Sequence, residues 1–577
     1  MLSVMQSQVR AVALKVVYTT DVHGCFLPYD FTENRPSARG GGLSCVYARL
    51  SRLRREWPGR VVLLDGGDML QGTPVTYYYN YVSTGRPHLA ARMMNRMGYD
   101  AACIGNHDLE AGHAVYDRWV ADCRFPVLGA NLTDESTGRP YLPPYTVVER
   151  EGVRVAVLGL VTAAFPYWLP RSLWAGIRVE NMIESARYWL EHIRRVERPH
   201  VIIGVFHSGT EGGMSVPGYE ENVTKALLKE VEGFDAVCCG HDHLRHLTTV
   251  TDAAGRRVPV VSPSACAWLV GELTVRVTLE GDRVLDKRVE AELTDVTSYR
   301  DAEALAFEDS FRTDLHCVAD YVEERVAWSE TGIRSRDAYF GPSGFVDIQH
   351  VLQLQLTGAD VSFASPVVYD SVLPRGEVRV KDMFNLYRFE NFLCTLRMTG
   401  REIVGALEWS YARWVRQMKA PDEHIMLFAS PSVCGGRLYF AYPAYNFDSA
   451  AGVRYTVDVT KPAGRRITVE CMADGEPFRP DKSYVVVTNS YRATGGGELF
   501  TEGSGIPLEE LPRRLLSVSS RDIRHYFMEY LRGQGRFSAH PLNLWRFVPS
   551  EWAGPALDRD RELLFGELDD GTRIDAD

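Results

Sequence analysis

Five short apolar runs in this chain each end in residues that bind cations or move protons. Asp21 and His23 follow Val16-Val17-Tyr18. Asp68 follows Val61–Leu64, within Gly66-Gly67-Asp68. Asn106 and His107 follow Ala101–Ile104, within Gly105-Asn106-His107-Asp108. His207 closes the run Val201–Phe206, and His241 and His243 follow Ala236–Cys239 within Gly240-His241-Asp242-His243. Carboxylate, amide oxygen and imidazole are the donors of a mixed N/O divalent-metal site, and imidazole also serves in proton transfer. Any one of these residues alone reads as a solvated histidine or a helix-start acid. Buried parallel strands, which read as continuous apolar runs and open into loops at their carboxyl ends, place all of them on one rim.

The elements that must carry this rim are legible in outline. Apolar strands alternate with helical patterns from residue 1 to about 300, with helices over Leu43–Arg55, Leu89–Met97 and Met182–Glu197. The segment 209–218 beside His207 is a glycine-rich loop. Residues 301–330 read as one connecting helix, Ala302–Trp328, and 331–548 as a second domain. That domain has helices over Phe345–Gln355 and Gly400–Met418 and strands at Val361–Phe363, Val453–Val459 and Tyr484–Thr488. Residues 549–577, rich in Asp and Glu, read as a peripheral acidic tail. At 577 residues the chain is too long for one core, which fits two domains. A net charge of −11 argues against a nucleic-acid polymer as partner but not against a small anion held through metals. No stretch approaches the ~20 apolar residues of a membrane span. The eleven cysteines form no Cys-x-x-Cys pair and read as buried thiols. His88, His113, His192, His246 and His350 stand outside these motifs and read as packing or surface residues.

The order Asp-x-His, Gly-Asp, Gly-Asn-His-Asp, His, Gly-His-x-His resembles the calcineurin-like metallophosphoesterases, and within them the 5'-nucleotidase family. The resemblance implies a four-layer α/β/β/α catalytic domain, then an α/β nucleotide-binding domain. It implies two divalent ions (Zn, Mn, Co or Fe): Asp21, His23 and His243 on one, Asn106, His207 and His241 on the other, Asp68 bridging. Some family members carry Gln where His243 stands. It makes His107 the catalytic histidine, steadied by an acid three residues on. That acid is Glu110 here rather than the family's Asp, with Asp108 as the alternative partner and a helix-start charge as the plain reading of either.

In the second half, Lys381–Gly400, Tyr445-Asn446-Phe447-Asp448 and Thr488–Gly497 resemble the family's carboxyl-terminal domain. The resemblance makes Tyr445 and Tyr491 a base clamp with Asn446 beside it; stacking tolerates any base because every base has a π face. The family's phosphate-binding Gly-Gly-Ile-Arg is replaced by Ala364–Asp370, without the arginine. Together these favour the 2',3'-cyclic-nucleotide 2'-phosphodiesterase/3'-nucleotidase branch. The expectation is therefore opening of 2',3'-cyclic nucleotides to 3'-nucleotides, then release of nucleoside and phosphate. The alternatives are a 5'-nucleotidase or nucleotide-sugar hydrolase, a non-catalytic nucleotide-binding protein, or a sulfur-ester hydrolase on the same scaffold. The resemblance puts the hinge for substrate delivery in the 302–328 helix. It also implies a periplasmic or cell-surface location. The short stretch before Val16 leaves no room for a signal peptide, which keeps the cytoplasm as the alternative. Oligomeric state is not legible.

Overall fold

The computed structural model describes residues 9–216, 218–429 and 439–566. The chain divides into two compact units, Met1–Tyr321 and Val322–Asp577.

The first unit is built on two six-stranded sheets. In one, Val9–Thr19, Val61–Asp65, Ala101–Cys103 and Val127–Leu128 run parallel in that order, and the antiparallel pair Leu269–Glu280 and Arg283–Asp295 extends the other edge. In the other, Val153–Val161, Val201–His207, Ala236–Cys239 and Arg257–Pro263 are parallel neighbours, flanked by antiparallel Tyr145–Arg150 and Arg245–Thr251. The period of two along each strand sorts residues between two buried faces. Leu14, Val16 and Tyr18 share one core with Val153, Val155, Val157, Val201, Ile203 and Val205, so the sheets pack face to face. The intervening residues Ala156, Leu158, Ile202 and Val237 instead meet Met182, Ala186, Leu190, Leu227 and Leu228, from helices Met182–Val196 and Thr224–Glu230. On the far side of the first sheet Val17 and Leu63 are also fully buried, and the helices Leu43–Glu56 and Leu89–Met97 bury an apolar face. Both faces of each sheet are covered, which is why the strands read as unbroken apolar runs.

The expected connecting helix is not one helix. Asp301 caps a helix over Ala302–Asp309, a turn follows, and a second helix runs Arg312–Val322. Arg325–Ser329 is a strand, paired with Gly376–Arg379. Leu305 is exposed, whereas Phe307 is buried and stacked on Tyr47. The first helix and all of the second but Val322 belong to the first unit. Glu308 accepts from Ser44 Oγ, and Asp314 accepts two bonds from Arg92, at 2.6 and 2.9 Å, and one from Tyr79 Oη at 2.9 Å. Strand pairing at Val326–Ser329 overrode a period that fitted a helix on paper.

The second unit centres on a five-stranded sheet in the order Ser449–Ala451, Val361–Ala364, Ser483–Asn489, Phe392–Thr399, Leu515–Asp522. Helices Gly344–Thr357 and Gly400–Trp414 lie near their expected places. The acidic tail is not peripheral. Residues Ser550–Phe565 form a helix that buries Ala553, Ala556 and Leu564 in the unit's main core, with Phe565 against Tyr339. Its Asp560 is fully buried and accepts from Ile425 N, Met426 N and His424 Nδ1 at 2.9, 2.7 and 2.5 Å. The Asp and Glu content concealed an apolar stripe at helical spacing. The remainder of that tail, 567–577, lies outside the described residues.

Candidate metal centre and nucleotide-binding loops

Every strand that reads as a ligand carrier ends on the same rim. Thr19 and Asp65 are register partners in the first sheet, as are His207 and Val161 in the second. The loops beyond them hold tight backbone turns. Asp21, His23, Asp68, His241 and His243 all adopt positive φ, between 50° and 78°, where residues with a Cβ are uncommon. Such strain persists where surrounding structure imposes it and collects at functional sites. Two motif glycines are demanded by close approach. A Cβ on Gly105 would lie 2.1 Å from Asp68 Oδ1, and one on Gly240 would lie 2.1 Å from Thr20 Oγ1.

Backbone contacts aim each side chain. His23 Nδ1–H donates to Gln71 O at 3.0 Å and His207 Nδ1–H to Gly66 O at 2.7 Å, which leaves Nε2 of each ring, when neutral, as the nitrogen that can bind a cation. His207 Nε2 lies 3.0 Å from Asn106 Oδ1 and 3.1 Å from Asp68 Oδ2. His23 Nε2 lies 2.9 Å from His243 Nε2 and 3.8 Å from Asp68 Oδ2. Asp21 accepts from His241 N–H and from Thr20 Oγ1. Asp68 Oδ1 accepts from His107 N–H at 2.8 Å, whereas the fully buried Oδ2 has no hydrogen bond of good geometry. Ligand atoms of Asp21, His23, Asp68 and His243 lie within 4.8 Å of one another, as do those of Asp68, His207 and His241. Two groups share one carboxylate whose second oxygen is orphaned among lone pairs. That donor set fits divalent cations.

The electrostatics follow from burial around one carboxylate. Burial disfavours charge on the rings, but Asp68 outweighs it at His207, pushed up to about 9, and, with Glu110, at His107, pushed up to about 10. At His23 burial wins and the ring falls to about 4. Burial also opposes charge on Asp68, yet His207 and His107 hold its carboxyl well below the usual range.

His107 Nδ1 is 2.5 Å from Glu110 Oε2, so the Glu reaches the ring despite its extra methylene. Asp108 is not its partner. Its two oxygens accept four backbone N–H groups: Gly105, Asp68, Met69 and Leu70, at 2.8 to 3.0 Å. Asp108 thus pins the Asp68 loop to the Asn106 loop. Of the remaining histidines, His88 is buried against Asn80 and His350 between Ser362 and Ser449, as packing residues.

In the second unit, Tyr445 and Asn446 sit in a short helical turn, Ala444–Asn446, and Tyr491 in the turn of helix Ser490–Ala493. Tyr445 is 41% exposed, too open for a core tyrosine. The two segments are joined by a residue that sequence reasoning passed over. Arg492, fully buried, donates to Tyr445 O, Asn446 Oδ1, Gly496 O and both oxygens of Asp448. The arginine-less stretch contributes Ser365, whose Oγ donates to Tyr445 O.

Residues 14–245 match the family of calcineurin-like phosphoesterases, and residues 323–502 match the carboxyl-terminal domain of 5'-nucleotidases. The chain belongs to the 5'-nucleotidase family of calcineurin-like metallophosphoesterases. It is a phosphoesterase, and its fold implies divalent metal ions. Similar proteins include the trifunctional nucleotide phosphoesterase YfkN of Bacillus subtilis, 26% identical over 94% of this chain. The chain spans only 39% of that protein's length. A 2',3'-cyclic-nucleotide 2'-phosphodiesterase/3'-nucleotidase of Yersinia enterocolitica is 23% identical, covering 95% of this chain and 90% of its own. Among solved structures, a candidate 5'-nucleotidase from Staphylococcus aureus shares the fold, with a TM-score of 0.72, 20% identity, and 93% of this chain against all of that one. Among the described residues no helix is long and apolar enough to cross a membrane.

Proposed function

We propose that the protein hydrolyses 2',3'-cyclic nucleotides to 3'-nucleotides and then removes the 3'-phosphate. The observation that carries the reading is the pair of donor groups meeting on Asp68, with the His107–Glu110 pair beside them. Asp21, His23 and His243 would hold one divalent ion, Asn106, His207 and His241 a second, and Asp68 both. When bound, such a pair neutralises phosphate charge and supplies an activated water. His107 has Nδ1 engaged by Glu110, which directs its Nε2 outward. From there it stabilises charge on the phosphoryl oxygens or protonates the leaving oxygen. Glu110 holds the ring in the tautomer and orientation that this needs.

Tyr445 and Tyr491 would grip the base, and Asn446, with its oxygen on Arg492, would offer its amide N–H to the ligand. The choice of the cyclic and 3' substrates rests on the Tyr-Asn-Phe-Asp stretch and on the absence of arginine from 364–370. It agrees with the activity for which the Yersinia relative is named. Phosphate release and product identity, after chelation and Mn²⁺ or Zn²⁺ add-back, decide the matter with 2',3'-cyclic AMP, 3'-AMP and 5'-AMP in parallel. Preference for the first two is expected. Preference for 5'-AMP would move the protein to the 5'-nucleotidase branch and leave the metal centre standing. Nucleotide binding without turnover would make it a binding protein. The periplasmic or cell-surface location that the family suggests is tested by fractionating cells that express the full gene product.

A further inference from the structure

His241 stands out among the candidate ligands because a carboxylate already occupies one of its nitrogens. Glu221 Oε1 lies 2.9 Å from His241 Nε2. Glu221 closes the glycine-rich loop that begins at Gly209, and the loop holds it firmly. Its Oε2 accepts from Met214 N–H at 2.5 Å, and its own N–H donates to Met214 O. Its carbonyl accepts from Thr162 Oγ1 and Ser208 Oγ at 2.8 and 3.0 Å. A Cβ on Gly213 would lie 2.5 Å from Glu221 Oε2, so the loop's glycine makes room for this carboxylate. Trp168 stacks on the opposite feature of the ring, its face, with centroids 5.9 Å apart and planes within 9°.

The geometry points to Glu221 as a positioning residue for His241. An imidazole with Nε2–H donated to a carboxylate keeps its lone pair on Nδ1 and becomes a better donor there. Glu221 on the edge and Trp168 on the face leave the ring one orientation, with Nδ1 as the nitrogen for a cation shared with Asp68 and His207. The inference rests on the metal centre proposed above. It adds that the Met214–Glu221 contact and the second ion are coupled: whatever holds that contact tightens the ion, and the ion strengthens the contact to the same degree.

The test uses the full-length protein, stripped by chelator and titrated calorimetrically with Mn²⁺ alone, as parent, Glu221→Leu and Glu221→Gln. Glu221→Leu should weaken one of the two binding steps roughly 10- to 100-fold and leave the other near its parental value. Glu221→Gln, whose amide oxygen still accepts from Nε2–H, should recover most of that loss. The melting temperature of the stripped protein should fall slightly and by similar amounts in the two variants, since each leaves Met214 N–H without its carboxylate acceptor. Amide exchange at Met214 should slow on Mn²⁺ addition in the parent and not in Glu221→Leu. Parental affinity at both steps in Glu221→Leu would overturn the assignment while leaving the metal centre intact. So would equal weakening of both steps with a lowered melting temperature, which marks fold damage. A parent that takes up no Mn²⁺ would overturn the metal centre and the assignment together.

Discussion

At the scale of single residues, neighbouring acids do different work. Asp108 satisfies four backbone donors, and each buried N–H left without a partner costs about 1–3 kcal/mol. Asp108→Ala should therefore lower unfolding free energy by several kcal/mol, read by urea denaturation of the metal-free protein. Glu110 touches the His107 ring instead. Glu110→Gln should leave the melting temperature near parental and reduce kcat on the order of tenfold or more, with KM little changed. A stability loss at Glu110, or parental kcat, would remove it from the dyad. At the proposed clamp, Tyr445→Ala and Tyr491→Ala should each raise KM by about one to two orders of magnitude, from about 1–3 kcal/mol of stacking per base. Steady-state kinetics on the preferred nucleotide read this, and unchanged KM in both would return the tyrosines to plain surface roles.

At the scale of elements, the Ser550–Phe565 helix is the main surprise. It covers the second unit's core with Ala553, Ala556 and Leu564, and Asp560 caps the backbone of Ile425 and Met426. Removing the acceptor in Asp560→Ala should cost about 2–6 kcal/mol, from two orphaned N–H groups. Asp560→Asn, which keeps one acceptor oxygen, should cost less. Truncation after Pro549 should leave the second unit unable to fold, seen as aggregation or loss of its melting transition. A truncated chain with parental melting would restore the view of this segment as an appendage. The connecting segment makes the opposite point. Arg92 and Tyr79 on Asp314 fasten the second of its helices to the rest of the first unit.

At the scale of the whole molecule, a buried histidine of the second unit contributes to acid stability with a definite sign. His350 is fully buried, and burial lowers it to about 3 from an ordinary 6.5. The folded state keeps this ring neutral where the unfolded state takes a proton. Its contribution is therefore complete above pH 6.5 and is lost as the pH falls from there toward 3. His350→Gln should flatten the pH dependence of unfolding in that window by up to about 1.4 kcal/mol per pH unit. Urea denaturation at pH 7, 5.5 and 4, parent against variant, measures it, and identical slopes would refute it.

The catalytic unit was legible because its signals are local and redundant. A strand buried on both faces must be an apolar run, and a candidate ligand at its end follows within a few residues, so Asp21, His23, Asp68, Asn106, His207, His241 and His243 could be picked out one after another. The sequence alone also determined most helices, since Leu89–Met97 or Met182–Val196 carry their own apolar period. Tertiary structure decided what depends on contacts between distant residues. It chose Glu110 over Asp108 for His107, because four backbone donors from another loop claim Asp108. It drew in Glu221 and Arg492, which reach their partners across loops 20 and 44–47 residues away in sequence. It broke the 302–328 helix and turned an acidic tail into core, because a period or a charge count cannot report which surface an element will meet.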